Sequence, residues 1–164
     1  MSKVEIVSAQ ENEFEDVGVL VVAAYRDLLG DELSEAYEQE LLRVKERSQV
    51  SDVLVAKIGE TIVGSVTYVW DAHSPISEGL KDFEVGVRML AVDPKWQGKG
   101  IGKSLVDYVI ERAKHDKARS IFLYSLEAMK VAHRIYMNLN FERTPSRDYL
   151  MDNGRYLLAF TRSL

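Results

Sequence analysis

The chain has no cysteine, which removes a disulfide framework, a thiolate zinc site and a sulfur nucleophile together, and with them covalent acyl-enzyme chemistry through sulfur. A reducing cytoplasm fits that absence. Proline is scarce: Pro75, Pro94 and Pro145 are the three. Each falls between candidate elements, and no Pro/Ser-rich linker, repeat or low-complexity run divides the chain. The 164 residues are therefore read as one domain, 1–164, of a size that buries roughly 70% of its unfolded surface. No stretch approaches the roughly 20 apolar residues that span a bilayer, and the first residues lack the basic segment and apolar run of a secretory signal. No membrane partner is expected. Positive charge is in deficit as well, 21 Lys and Arg against 26 Asp and Glu for a net charge of -5. That balance argues against a nucleic-acid partner and leans towards a cationic substrate, although an ordinary acidic surface has the same composition.

What is present reads as mixed α/β. Val4 to Val7 alternates as a short strand, and Glu13 to Leu28 carries apolar residues at helical spacing (Phe14, Val17, Leu20, Val21, Ala24, Leu28) before Gly30 stops it. The pattern predicts a second helix from Ser34 to Arg47, acidic at its start and basic at its end, a polarity that suits the helix dipole. Val53 to Ile58 and Thr61 to Trp70 flank Gly59-Glu60 as a hairpin. A polar loop, Asp71 to Lys81, leads to a strand in which Glu84 to Met89 alternates while Met89-Leu90-Ala91-Val92 is continuously apolar, so the strand becomes buried or bulged there. A helix from Gly100 to Ala113 and a strand from Ser120 to Tyr124 complete a βαβ unit with parallel strands. Ala128 to Leu139 reads as a further helix capped by a left-handed Asn140, and Asn153-Gly154 as the turn of a closing hairpin.

The run Val92-Asp93-Pro94-Lys95-Trp96-Gln97-Gly98-Lys99-Gly100-Ile101-Gly102-Lys103 places three glycines at alternate positions where a helix begins. Glycines let main-chain N–H groups converge on an anion, and the helix start adds unpaired donors and partial positive charge. A diphosphate suits such a loop. A Walker-type P-loop would need glycine five residues before Gly102-Lys103-Ser104, where Gln97 stands. The dinucleotide fingerprint fails in both frames, ending on Lys103 or on Leu105.

Gln97-x-x-Gly100-x-Gly102 after Leu90-Ala91-Val92-Asp93-Pro94 resembles the acetyl-CoA signature of the GCN5-related N-acetyltransferase (GNAT) family. The likeness extends over most of the chain, from the first strand and two helices to a helix ending in Tyr136-Met137-Asn138-Leu139-Asn140-Phe141, where the family commonly has glycine in place of Asn140. It implies a mixed, mostly antiparallel central sheet with helices on both faces, and a parallel βαβ unit splayed at the acetyl-CoA site. It further implies that main-chain groups of Gln97, Gly98, Lys99, Gly100, Ile101, Gly102 and Lys103 hold the CoA diphosphate. The strand Leu90, Ala91 and Val92 would pair with the pantetheine arm like an added strand. Met129 stands where the family commonly has asparagine, and Met129, His133 and Tyr136, on one helical face, would line the slot.

The activity implied is transfer of an acetyl group from acetyl-CoA to a primary amine of a small molecule or of a peptide or protein by direct attack, with no metal. A non-catalytic acyl-CoA sensor that keeps the same loop is the alternative from another class. Transfer needs a neutral amine, donors for the developing oxyanion and a proton for the leaving thiolate. The expected catalytic groups are Glu84 as base, with pairing to Arg88 or a water base as competing readings, a main-chain N–H near Leu90 as oxyanion donor, and Tyr136 as acid. His73 and His115 read as surface, and Trp70 and Trp96 as packing residues. The acidic face of Glu35, Glu38 and Glu40 would guide an amine or simply be solvated. The amine acceptor is not legible, and a homodimer is among the oligomeric states left open.

Overall fold

The computed structural model describes residues 3–164. Its eight strands are β1 (Val4–Ser8), β2 (Asp52–Ile58), β3 (Thr61–Val69), β4 (Glu84–Val92), β5 (Ser120–Leu126), β6 (Glu142–Arg143), β7 (Tyr149–Leu150) and β8 (Tyr156–Ser163). They form one sheet in the order β1-β2-β3-β4-β5-β8-β6, with β7 also on β8. Only β4 and β5 run parallel; every other pairing is antiparallel. The helices are α1 (Phe14–Leu29), α2 (Glu35–Leu42), α3 (Val44–Ser48), α4 (Ile101–His115) and α5 (Lys130–Asn138). The mostly antiparallel sheet with one parallel βαβ unit agrees with the architecture expected from the sequence.

Two apolar layers coat the sheet. On one face α1–α3 bury Val17, Val21, Leu41 and Val44 against Val53, Val55, Met89 and Ala91. On the other, α4 and α5 bury Ile101, Leu105, Val109 and Tyr136 against Leu54, Val66, Val85 and Val87. The alternation of Leu54 with Val53 and Val55 between layers is the period of two that a strand imposes. Of the stripe read in α1, Val17, Leu20 and Val21 are buried and Phe14 and Ala24 half-buried, whereas Leu28 is exposed and Tyr25 enters the core instead; Gly30 ends the helix at φ 54°.

The single helix expected from Ser34 to Arg47 is instead two. Arg43 leaves helical geometry at φ -80°, ψ 56°, so that α2 and α3 each turn a residue, Leu41 and Val44, fully into the core. A break strands the last carbonyls of α2, and the buried Arg47 folds back to donate to Glu40 O at 2.8 Å and Leu41 O at 2.9 Å. Its charge, read as complementing the dipole of its own helix, therefore caps the one before. The helix expected from Ala128 starts at Lys130, because β5 runs on to Leu126 and Met129 occupies the N-cap. Asn140 is left-handed as expected, at φ 68°.

The decisive irregularity is in β4. Thr67 faces Arg88 and Ser65 faces Ala91, so Val66 alone stands opposite Met89 and Leu90. This is a β-bulge, with Met89 at φ 54°. The bulge exchanges the faces of the strand: Val85 and Val87 point to the α4 layer, Met89 and Ala91 to the α1 layer. The continuous apolar run is thus two alternating patterns joined out of phase. The residues before it are not half-buried, since Glu84 to Val87 are all buried.

Candidate active site

The parallel ladder between β4 and β5 covers only Glu84↔Ser120 to Val87↔Leu123. Past it, β4 remains paired with β3 while Tyr124, Ser125 and Leu126 remain paired with β8. The two facing edges therefore part at the bulge, leaving main-chain groups of Arg88 to Val92 on an open edge. Leu90, Ala91 and Val92 lie along that edge. Unpaired strand edges offer main-chain donors and acceptors to an extended guest.

Beyond Val92 the chain makes a short turn. The Asp93 carboxylate accepts from Lys95 N at 2.9 Å, and Trp96 N donates to Asp93 O at 2.8 Å. Gln97, Gly98, Lys99 and Gly100 are exposed, whereas Ile101 and Gly102 are buried. The glycines divide the work. Gly98 and Gly100 are left-handed, at φ 77° and 80°, with open space where a Cβ would stand, while a Cβ on Gly102 would meet Ile135 Cδ1 at 2.9 Å. The first two thus shape an open cradle, and the third lets α5 close on the start of α4. Free N–H groups of that first helical turn face the cradle. Lys99 is exposed beside it, and Lys103 pairs with Asp107 at 2.7 Å. These residues suit a diphosphate.

On the α1–α2 side, the gap opens into a cleft of about 780 Å³. Its walls are the end of α1, α2, the β5–α5 connection and the β7–β8 hairpin, and Val87, Arg88 and Met89 form its floor. Arg155 of the hairpin donates to Glu32 at 2.6 and 3.0 Å across 123 residues of sequence, joining two walls. Met129 lines this cleft and packs against the α1 layer. His133 instead hydrogen-bonds Ser125 Oγ and Leu126 O at 3.0 Å each, fixing the end of β5. Burial, which outweighs its bond to Leu126 O, lowers the pKa of His133.

Tyr136 is 4% exposed, with its ring 5.5 Å from that of Phe141 and 5.6 Å from that of Phe160. Burial alone pushes its hydroxyl pKa well above the usual range. Glu84, at the opposite end of β4 from the glycine loop, is buried. Its carboxylate accepts two bonds from Arg147, at 2.8 and 2.9 Å, one from Lys81 N at 2.8 Å and one from Ser120 Oγ at 3.2 Å. Burial raises its pKa, but Arg147 and the Lys81 N–H outweigh that and the net shift is downward. The pairing of Glu84 with Arg88 expected from strand register does not occur. Arg88 belongs to a different pair, with Glu78 at 2.8 Å, and Glu40 lies 4.0 Å away. All three line the cleft. His73 and His115 are exposed, Trp70 is exposed and Trp96 half-buried.

The sequence pattern of the acetyltransferase (GNAT) family matches residues 22–141, well over half the chain and spanning both the bulged strand and the glycine loop. The chain belongs to this family. Among curated proteins, the N-alpha-acetyltransferase 30 of Xenopus laevis is 31% identical over 125 residues, 76% of this chain and 44% of that protein. The mycothiol acetyltransferase of Brachybacterium faecium is 33% identical over 91 residues, 56% of this chain and 26% of that one. The chain thus spans less than half the length of these relatives. The PaiA N-acetyltransferase of Thermoplasma acidophilum, solved with coenzyme A, superposes with a TM-score of 0.75 at 16% identity, covering 99% of each chain. Among the described residues no helix is long and apolar enough to cross a membrane.

Proposed function

We propose that the protein is a cytoplasmic N-acetyltransferase that carries an acetyl group from acetyl-CoA to a primary amine. The observation that carries this reading is the bulge at Met89 and Leu90, which opens a strand edge beside an exposed glycine cradle at one end and a walled cleft at the other. Main-chain N–H groups from Gln97 to Lys103 hold the diphosphate, and the edge of Leu90, Ala91 and Val92 holds the pantetheine arm. The thioester carbonyl then lies at the bulge, where the Leu90 N–H serves the oxyanion. A donor aimed at developing charge contributes a factor of about 10²–10³.

Tyr136 supports the departing sulfur as a hydrogen-bond donor. With its pKa raised rather than lowered, full transfer of its proton to a thiolate whose conjugate acid has a pKa near 8.5 is uphill, and water completes the protonation. Met129 contributes an apolar wall in place of an amide contact. The names of the relatives, an N-alpha-acetyltransferase and a mycothiol acetyltransferase, support acetyl transfer without fixing one acceptor.

Thiol release from acetyl-CoA in the presence of a panel of primary amines tests the reading. Amine-dependent release is expected. Tight CoA binding without turnover on any amine would make the protein an acyl-CoA sensor instead.

A further inference from the structure

Resting on the transferase reading, we infer that Glu78 is the general base and that the acceptor is a primary amine with an apolar body, its ammonium group seated between Glu78 and Glu40. Glu78 stands on the loop between β3 and β4 and reaches into the cleft, where Arg88 Nη2 holds its carboxylate at 2.8 Å. Arg88 is the residue immediately before the bulge, so this carboxylate is anchored next to the proposed oxyanion donor. Glu40, on α2, lies 4.0 Å from the same guanidinium. Buried Arg47 is a further cation near Arg88 and Glu40, but Glu78 and Glu40 are the groups that present carboxylate acceptors to the cleft, which suits an ammonium guest.

The loop is built to hold Glu78 in place. Glu78 and Gly79 are consecutive left-handed residues, at φ 37° and 78°, and the Gly79 carbonyl accepts from Arg147 Nη2 at 2.9 Å. Arg147 is the guanidinium clamped by Glu84, and Arg88 Nη1 also reaches Ile76 O at 3.5 Å. Glu84, the base suggested by strand order, is therefore a positioning residue that acts through Arg147. Glu78 differs from Glu84 in access, since 46% of its side-chain surface is exposed against 8% for Glu84. Much of the remaining wall is apolar or aromatic, with Leu33, Tyr37, Met129, Tyr149 and Tyr156, while Glu32, Glu127, Lys130 and Arg155 place further charges of both signs on it.

A base is needed. An alkylammonium with a pKa near that of lysine, about 10.4, is neutral in only about one molecule in 2500 at pH 7. Glu78 takes one proton from the ammonium, and the freed nitrogen pair forms the C–N bond as the carbonyl electrons move to oxygen. When that oxyanion collapses, the C–S bond breaks, and the sulfur leaves with the electron pair and takes a proton from water. The nitrogen gives its surplus proton to water, and Glu78 releases its proton to solvent through the open side of the cleft. Burial in the cleft raises the pKa of Glu78, Arg88 opposes this and Glu40 adds to it. Tyr37 from α2 and Tyr124 from β5 also face it.

The test compares the wild-type chain with E78Q in thiol release from acetyl-CoA, using phenethylamine, hexylamine and a short peptide with a free N terminus, from pH 6 to 10. E78Q is expected to lower kcat/KM by roughly 10²-fold at pH 7. The deficit should shrink towards pH 10, where the amine deprotonates unaided, and E78D should recover part of the rate. Stabilisation by CoA should match the wild type. Wild-type turnover with E78Q within twofold and an unchanged pH profile would overturn Glu78 as base. Preference for the peptide over both monoamines, or CoA binding without turnover of either, would overturn the acceptor class. Absence of CoA stabilisation in the wild type would instead overturn the underlying transferase reading.

Discussion

Tyr68 and Tyr136 carry the same phenol into the same apolar layer, but they are fixed differently. Tyr68 donates to Asp116 at 2.8 Å; the shift of Tyr136 comes from burial alone. A hydroxyl buried without gaining a strong bond contributes little to folding, so removing it tests the proposed catalytic role separately from stability. Y136F should therefore fold as well as the wild type by thermal melting. It should bind CoA equally and lose kcat on the order of 10- to 100-fold, the worth of one hydrogen bond to a charged group. Unchanged kcat with a chemistry-limited amine would remove Tyr136 from the mechanism and leave its ring a packing residue. Glu84 behaves oppositely. E84Q should cost roughly 2–3 kcal/mol of stability at pH 7, because it leaves the Arg147 charge uncompensated. With a folded pKa below the unfolded value of about 4.3, Glu84 stabilises fully above that value, and its contribution is lost as pH falls through the folded pKa. Acid unfolding of E84Q should accordingly show a shallower dependence on pH in that window than the wild type.

At the scale of elements, the break between α2 and α3 depends on one side chain. R47A should remove both bonds to the carbonyls of Glu40 and Leu41. About 2–3 kcal/mol of stability should be lost, read as a lower denaturation midpoint. Sequence pattern located α1, α4, the β2–β3 hairpin and the β7–β8 hairpin because each carries its own signal, an apolar stripe or a glycine turn. It missed the break at Arg43, since a tertiary demand to bury both Leu41 and Val44 overrides local helix preference. It also missed β6, whose two residues pair with Phe160 and Thr161 and are too few to show a period. The apolar run from Met89 to Val92 flagged the bulge, but only pairing with β3 reveals that the strand exchanges faces. In the candidate site the glycine cradle was legible because its spacing is local. The pair Arg88 and Glu78 was not: ten residues and a polar loop separate them, and strand parity pointed from Arg88 to Glu84 instead.

For the whole molecule, one sheet is proposed to serve two ligands from its two ends. In the proposed reading the exposed cradle at the start of α4 takes the diphosphate, the cleft between α1–α2 and the β7–β8 hairpin takes the amine, and the bulge at Met89 would bring the reacting groups together. The cradle is the part on which the rest depends, and Gly100, at φ 80° with open space beside it, is its most sensitive point. A glutamate there would add a strained side chain and a negative charge where a diphosphate binds. Thermal melting of the wild type and of G100E, each with and without CoA at about one hundred times a micromolar Kd, tests this most directly. A ligand that binds only the native state adds about 2.7 kcal/mol at that excess, a rise of roughly 5–10 °C for a chain of this size. The account predicts that rise for the wild type and none for G100E. An unchanged melting temperature of the wild type, or an equal rise in both proteins, would contradict it.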